Sequence, residues 1–76
     1  MDPEKRLRLQ RHLAEAERHI AEGERVLQQQ RKLVAQRRRD GLDATLAEQI
    51  LSEMEYTQEL HIAGRESLYR ALSADF

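Results

Sequence analysis

Residues 37–43 read RRRDGLD, and the fold turns on them. Gly41 can take the left-handed backbone that closes a helix, and the three arginines before it suit the negative end of a helix dipole. Asp43 can restart the chain by capping free amides, with Leu42 as a staple. Thr45 and Glu48, at capping-box spacing, offer a later start, and we take Asp43. A turn this short between two long periodic segments forces them to fold back antiparallel.

Upstream, DPEKRLRLQ at 2–10 opens like a helix: Asp2 can cap, Pro3 suits the first helical position, and Glu4 complements the positive dipole end. Helix one is expected over about 3–39, and its apolar stripe runs Leu9, Leu13, Ala16, Ile20, Gly23, Leu27, Gln30, Val34. Steps of four and three alternate along it, which makes a heptad seam. Downstream, Ala47, Ile50, Met54, Thr57, His61, Gly64, Leu68 and Ala71 keep the same alternation in helix two, expected over about 44–72 after a turn at 40–43, with 73–76 frayed. The fold class is therefore all-α, one two-helix antiparallel hairpin of coiled-coil type over 1–76.

If the turn centres between Asp40 and Asp43, facing residues have numbers summing to roughly 84, as an antiparallel hairpin requires. The pairs are then Val34 with Ile50, Gln30 with Met54, Leu27 with Thr57, Gly23 with His61, Ile20 with Gly64, Ala16 with Leu68 and Leu13 with Ala71. Large faces small, the complementarity that lets helices pack closely. HIAEG at 19–23 and HIAG at 61–64 lie opposite each other in this register, each glycine leaving room for the other copy.

Composition agrees. Of 76 residues, 39% are hydrophobic, 36% charged and only 4% aromatic, a long-helix composition. Disorder shares the high charge and the scarcity of aromatics, but the apolar residues here are ordered by position. The chain has no cysteine, which excludes disulfides, thiolate zinc sites and thiol catalysis. No apolar run approaches the ~18 residues of a membrane span and no signal-like start is visible, so a cytoplasmic protein is expected, with no membrane association.

Two helices meeting along one seam bury little apolar surface, and chains below ~80 residues rarely gain more than a few kcal/mol from their own core. Val26, Leu33, Leu46, Leu51, Leu60 and Leu72 flank the seam, and a lone hairpin would leave them wet. A homodimeric four-helix bundle would cover them, and a docked protein partner is the other way to do so. Tyr56 and Tyr69 join this candidate outer face as contact anchors.

Between 25 and 39 lie six basic residues (Arg25, Arg31, Lys32, Arg37, Arg38, Arg39) and no acidic one; between 40 and 59 lie six acidic residues and no basic one. Folding the hairpin brings the blocks side by side, which specifies antiparallel pairing more than it stabilises, exposed pairs contributing ~0–1 kcal/mol each. The alternative is a nucleic-acid contact through Arg31, Lys32, Arg37, Arg38 and Arg39. Against it stand the neighbouring acids, which repel phosphate, and the lack of aromatics among the basic residues.

His12, His19 and His61 are the usual residues for metal or proton chemistry. His12 and His19 lie about 10.5 Å apart along a helix, too far to share one ion, and no paired Glu-x-x-His motifs occur. His61 reads as a polar seam residue that could confer pH dependence on assembly. A dimeric hairpin with histidines is also similar to the phosphoacceptor domain of sensor kinases, but that family places an acid directly after its histidine, and here Leu13, Ile20 and Ile62 follow. No serine or threonine has a base in a triad-like arrangement, and no phosphate-cradling glycine loop is present. No catalytic residue, cofactor or metal ligand is assigned, and an enzyme is not expected.

AERHIAEGER at 16–25, DGLD at 40–43 and EYTQELH at 55–61 carry a resemblance to a group of small bacterial helical-hairpin proteins with no assigned activity, extending over residues 14–72. The resemblance implies a hairpin and nothing about chemistry. The expected function is a non-enzymatic protein–protein interaction or regulatory adaptor.

Overall fold

The computed structural model describes residues 1–74; Asp75 and Phe76, part of the tail expected to fray, lie outside the described residues. Two helices, α1 (Pro3–Arg39) and α2 (Thr45–Ser73), pack side by side in a rod of 58 × 14 × 14 Å, with no strand among the described residues. At about 1.5 Å per residue α1 is about 55 Å long and α2 about 43 Å, so the start of α1 projects beyond the end of α2.

Local chemistry sets the helix ends. Asp2 accepts a hydrogen bond from the Glu4 amide and Pro3 occupies the first turn of α1. At the other end the Leu42 amide donates to the Arg37 carbonyl (2.8 Å) and the Gly41 amide to that of Arg38 (3.2 Å), with Gly41 at φ +68°. These two bonds are the Schellman pair, and they need a left-handed residue where glycine stands.

Asp43 opens α2. Its Oδ1 accepts from the Thr45 amide (2.9 Å) and the Thr45 hydroxyl (2.7 Å), so Thr45 donates to Asp43 and does not cap on its own account. The Thr45 hydroxyl and amide, helped by Arg37, hold the Asp43 carboxyl below its ordinary value of 3.8. A carboxyl depressed by folding contributes stability present above the unfolded value and lost as pH falls through the folded one. Asp43→Ala is thus expected to lower the melting temperature at pH 7. The gap from wild type should close as pH drops below 3.8, measured by circular dichroism melts between pH 2 and 7; a pH-independent gap would contradict this role.

Along α1 the residues Leu9, Leu13, Ala16, Ile20, Gly23, Gln30 are half-buried and Leu27 and Val34 buried, the expected stripe. On α2 the phase differs. Ala44, Ala47 and Gln58 are buried and Leu51, Met54, Arg65, Leu68 and Leu72 half-buried, while Ile50, Thr57, His61, Gly64 and Ala71 are exposed. Stepping 47, 51, 54, 58 fits the heptad as well as 47, 50, 54, 57 does. Position for position, the phase adopted puts Leu51, Gln58, Arg65 and Leu72 where Ile50, Thr57, Gly64 and Ala71 were expected, exchanging a glycine and an alanine for longer side chains.

Two glutamines fix that phase. Gln58 Nε2 donates to the Ile20 carbonyl (2.8 Å) and Gln30 Nε2 to the Ala47 carbonyl (3.0 Å). Gly23, expected opposite His61, instead lies under the Gln58 amide: a Cβ there would stand 2.1 Å from Gln58 Oε1. Gly64, expected to make room for Ile20, has open space around it. The layers expected at Ile50, Thr57, Gly64 and Ala71 are accordingly not formed.

Candidate functional site

Once α2 turns in this phase, the two long sides of the hairpin differ in chemistry. Residues seven apart on a helix share a side. One side carries Glu17, Glu24, Arg31 and Arg38 from α1 and Glu48, Glu55, Ile62 and Tyr69 from α2. Arg38 pairs with Glu48 (2.6 Å), Arg31 approaches Glu24 (3.6 Å), and the Tyr69 hydroxyl donates to Glu17 (2.5 Å) with the Arg65 guanidinium 5.9 Å from its ring. The Glu17 carboxylate holds the Tyr69 hydroxyl above its ordinary range, because ionising the phenol would break the hydrogen bond it donates and set two negative charges together. These contacts tie six of the side's residues to one another, while Glu55 and the exposed Ile62 take no part in them.

The other side carries His12, His19, Val26 and Leu33 from α1 and Leu46, Ile50, Glu53, Thr57, Leu60 and Gly64 from α2. They line a shallow groove in three segments, joined where His19 and His61 meet and again at Ile50. Leu33 (46% exposed), Leu46 (69%) and Leu60 (54%) stand open to solvent there, with Ile50 beside them. These apolar side chains alternate along the groove with His12, His19, His61, Glu15, Glu22 and Glu53.

The expected outer-face residues are thereby sorted. Val26, Leu33, Leu46 and Leu60 lie along the groove and Leu51 lies in the seam. Tyr69 is engaged on the charged side, and Tyr56 is exposed on the back of α2. Ile50, His61 and Gly64, expected in the seam, belong to the groove. His12 and His19 line it as well, and their seven-residue spacing from Val26 and Leu33 is the sequence signal for that.

His19 and His61 approach across the groove, ring centroids 5.9 Å apart and planes tilted by 45°. Among the described residues no three histidine, aspartate or glutamate side chains converge as a metal site would require.

The basic residues of 31–39 do not form one strip. Arg37 lines the groove and donates to the Asp43 carbonyl (2.8 Å), Arg31 and Arg38 lie on the charged side, and Lys32 and Arg39 point away from both, Arg39 bonded to Gln36 (2.7 Å). Only Arg38–Glu48 joins the basic block to the acidic one by an ion pair among the described residues; Arg31 turns to its own helix, since Glu53 faces the groove on the other side. No described helix is long and apolar enough to cross a membrane. Comparison with known families, curated proteins and solved structures finds no match.

Proposed function

We propose that the chain is a small non-enzymatic interaction protein that pairs with a second copy through its groove, forming a four-helix bundle, and in that form bridges or regulates a protein partner. The observation that carries this reading is the groove itself, where Val26, Leu33, Leu46, Ile50 and Leu60 lie along one side of the rod among charged and histidine side chains.

The thinness of the core supports it. The buried hydrophobic residues of the described chain are Leu27, Val34, Ala44 and Ala47, two of them alanines. The hairpin exposes 5796 Å², whereas a compact monomer of 8.9 kDa would expose about 4,800 Å². The excess of about 1,000 Å² is close to the roughly 800 Å² that each partner contributes to a standard interface. A groove open along its whole length also encloses no substrate, which favours recognition over catalysis.

Light scattering at micromolar concentration tests the pairing. A species of twice 8.9 kDa is expected; a folded, monodisperse monomer would overturn it.

A further inference from the structure

We infer that the two copies dock groove to groove and antiparallel, about a two-fold axis near Val26, so that Arg37 of each protomer meets Glu15 of its partner. The inference rests on the dimer reading above and adds its geometry.

The distribution of charge along the groove carries it. Arg37 lines the groove at the turn end, half-buried, with its Nε donating to the Asp43 carbonyl. Of the acids that line the groove, Asp43 lies beside Arg37 at the turn, held by Thr45, whereas Glu15, Glu22 and Glu53 lie toward the open end. Glu22 is tied to Arg25 of its own helix, whereas Glu15 has no ion pair inside the protomer among the described residues. Arg37 and Glu15 are separated by about 33 Å along α1.

In a two-fold interface residue i meets j and j meets i. A parallel face-to-face pair lays each α1 over the partner's α2, so Arg37 meets the partner's turn end and Glu15 is left without a groove-lining arginine opposite it. An antiparallel pair reverses one copy, and with the axis at Val26 the number 37 meets 15 while 33 meets 19. Both charges are then neutralised, twice per dimer. The same reversal lays Leu33 and Leu46 of one copy over the groove of the other around His19 and Leu60, so the apolar segments of both are covered together.

The absence of cysteine makes a clean distance test. A nitroxide on an Arg39→Cys variant of the full chain is expected to give a spin–spin distance of about 40 Å in the dimer, and a distance under about 25 Å would overturn the antiparallel geometry. A sample showing no dipolar coupling and the mass of a monomer would overturn the dimer reading beneath it instead. Charge reversal tests the pairing itself. Arg37→Glu and Glu15→Arg are each expected to weaken self-association about tenfold or more, and an equimolar mixture of the two to recover it as a heterodimer. Glu15 is free of the turn, so its variant keeps the test valid should Arg37→Glu unravel the Asp43 contact. Unchanged self-association of Glu15→Arg would overturn the assignment.

Discussion

Leu27→Ala is expected to destabilise the fold by about 2–5 kcal/mol per chain, enough to leave much of the protein unfolded at room temperature. Leu27 is 3% exposed and is the largest side chain of a core that otherwise consists of Val34, Ala44 and Ala47. Truncating it removes about three methylene equivalents from the middle of the seam, and no buried neighbour is bulky enough to refill the space. Leu33→Ala is the natural control: Leu33 differs by less than two helical turns in position but is 46% exposed in the hairpin, so its loss should register in association more than in the seam. Urea unfolding followed by circular dichroism, at matched protein concentration, compares the two. A Leu27→Ala midpoint within about 1 kcal/mol of wild type would mean that the seam is not where the fold is held.

The second large effect is a change of sign. A glycine inside a helix costs about 1 kcal/mol relative to alanine, so Gly23→Ala ought to stabilise α1. In this hairpin the added Cβ would stand 2.1 Å from Gln58 Oε1 and 3.0 Å from its Cδ. The amide must move, and with it goes the 2.8 Å bond from Gln58 Nε2 to the Ile20 carbonyl. Displacing a buried amide from its partner costs about 1–3 kcal/mol, so the net effect of Gly23→Ala should be destabilisation by about 1 kcal/mol. In a Gln58→Ala background the clash is gone and the same substitution should stabilise by about 1 kcal/mol. A double-mutant cycle measures the difference directly, an interaction energy of about 2 kcal/mol. If Gly23→Ala has the same sign in both backgrounds, Gln58 does not lie over Gly23.

That contact marks where periodicity stops being informative. The hairpin is legible because its signals are local: Asp2 and Pro3 start α1, Gly41 supplies the left-handed residue of the turn, and Asp43 gathers the first amide of α2. The stripe of α1 is legible too, since only one phase of it is apolar. On α2 two phases share Ala47, Met54, His61 and Leu68 and differ only in 50, 57, 64, 71 against 51, 58, 65, 72. Apolar spacing does not separate them. What does is a polar fit between residues 38 positions apart, a glutamine amide reaching the backbone over a glycine, together with the aliphatic stem of an arginine standing in for a hydrophobe.

The consequence for function follows from that rotation. With α2 in its actual phase, Ile50 and Gly64 leave the seam and, with His61, which fits both phases but is exposed, join Val26, Leu33, Leu46 and Leu60 in one groove. The repeated HIA motif changes meaning in the same step. His19 and His61 do meet, but across the groove floor and open to solvent, and only the glycine of the first copy packs against the other helix.

The groove is therefore the surface to break. Sedimentation equilibrium on a Leu33→Glu/Ile50→Glu variant, with Tyr56→Glu as the control on the back of α2, should find the control a dimer like wild type. The groove variant should be confined to the monomer mass, because four buried carboxylates per interface cannot be desolvated without partners. A groove variant that still sediments as a dimer, or a control that dissociates equally, would contradict the assignment of this side of the hairpin as the docking surface.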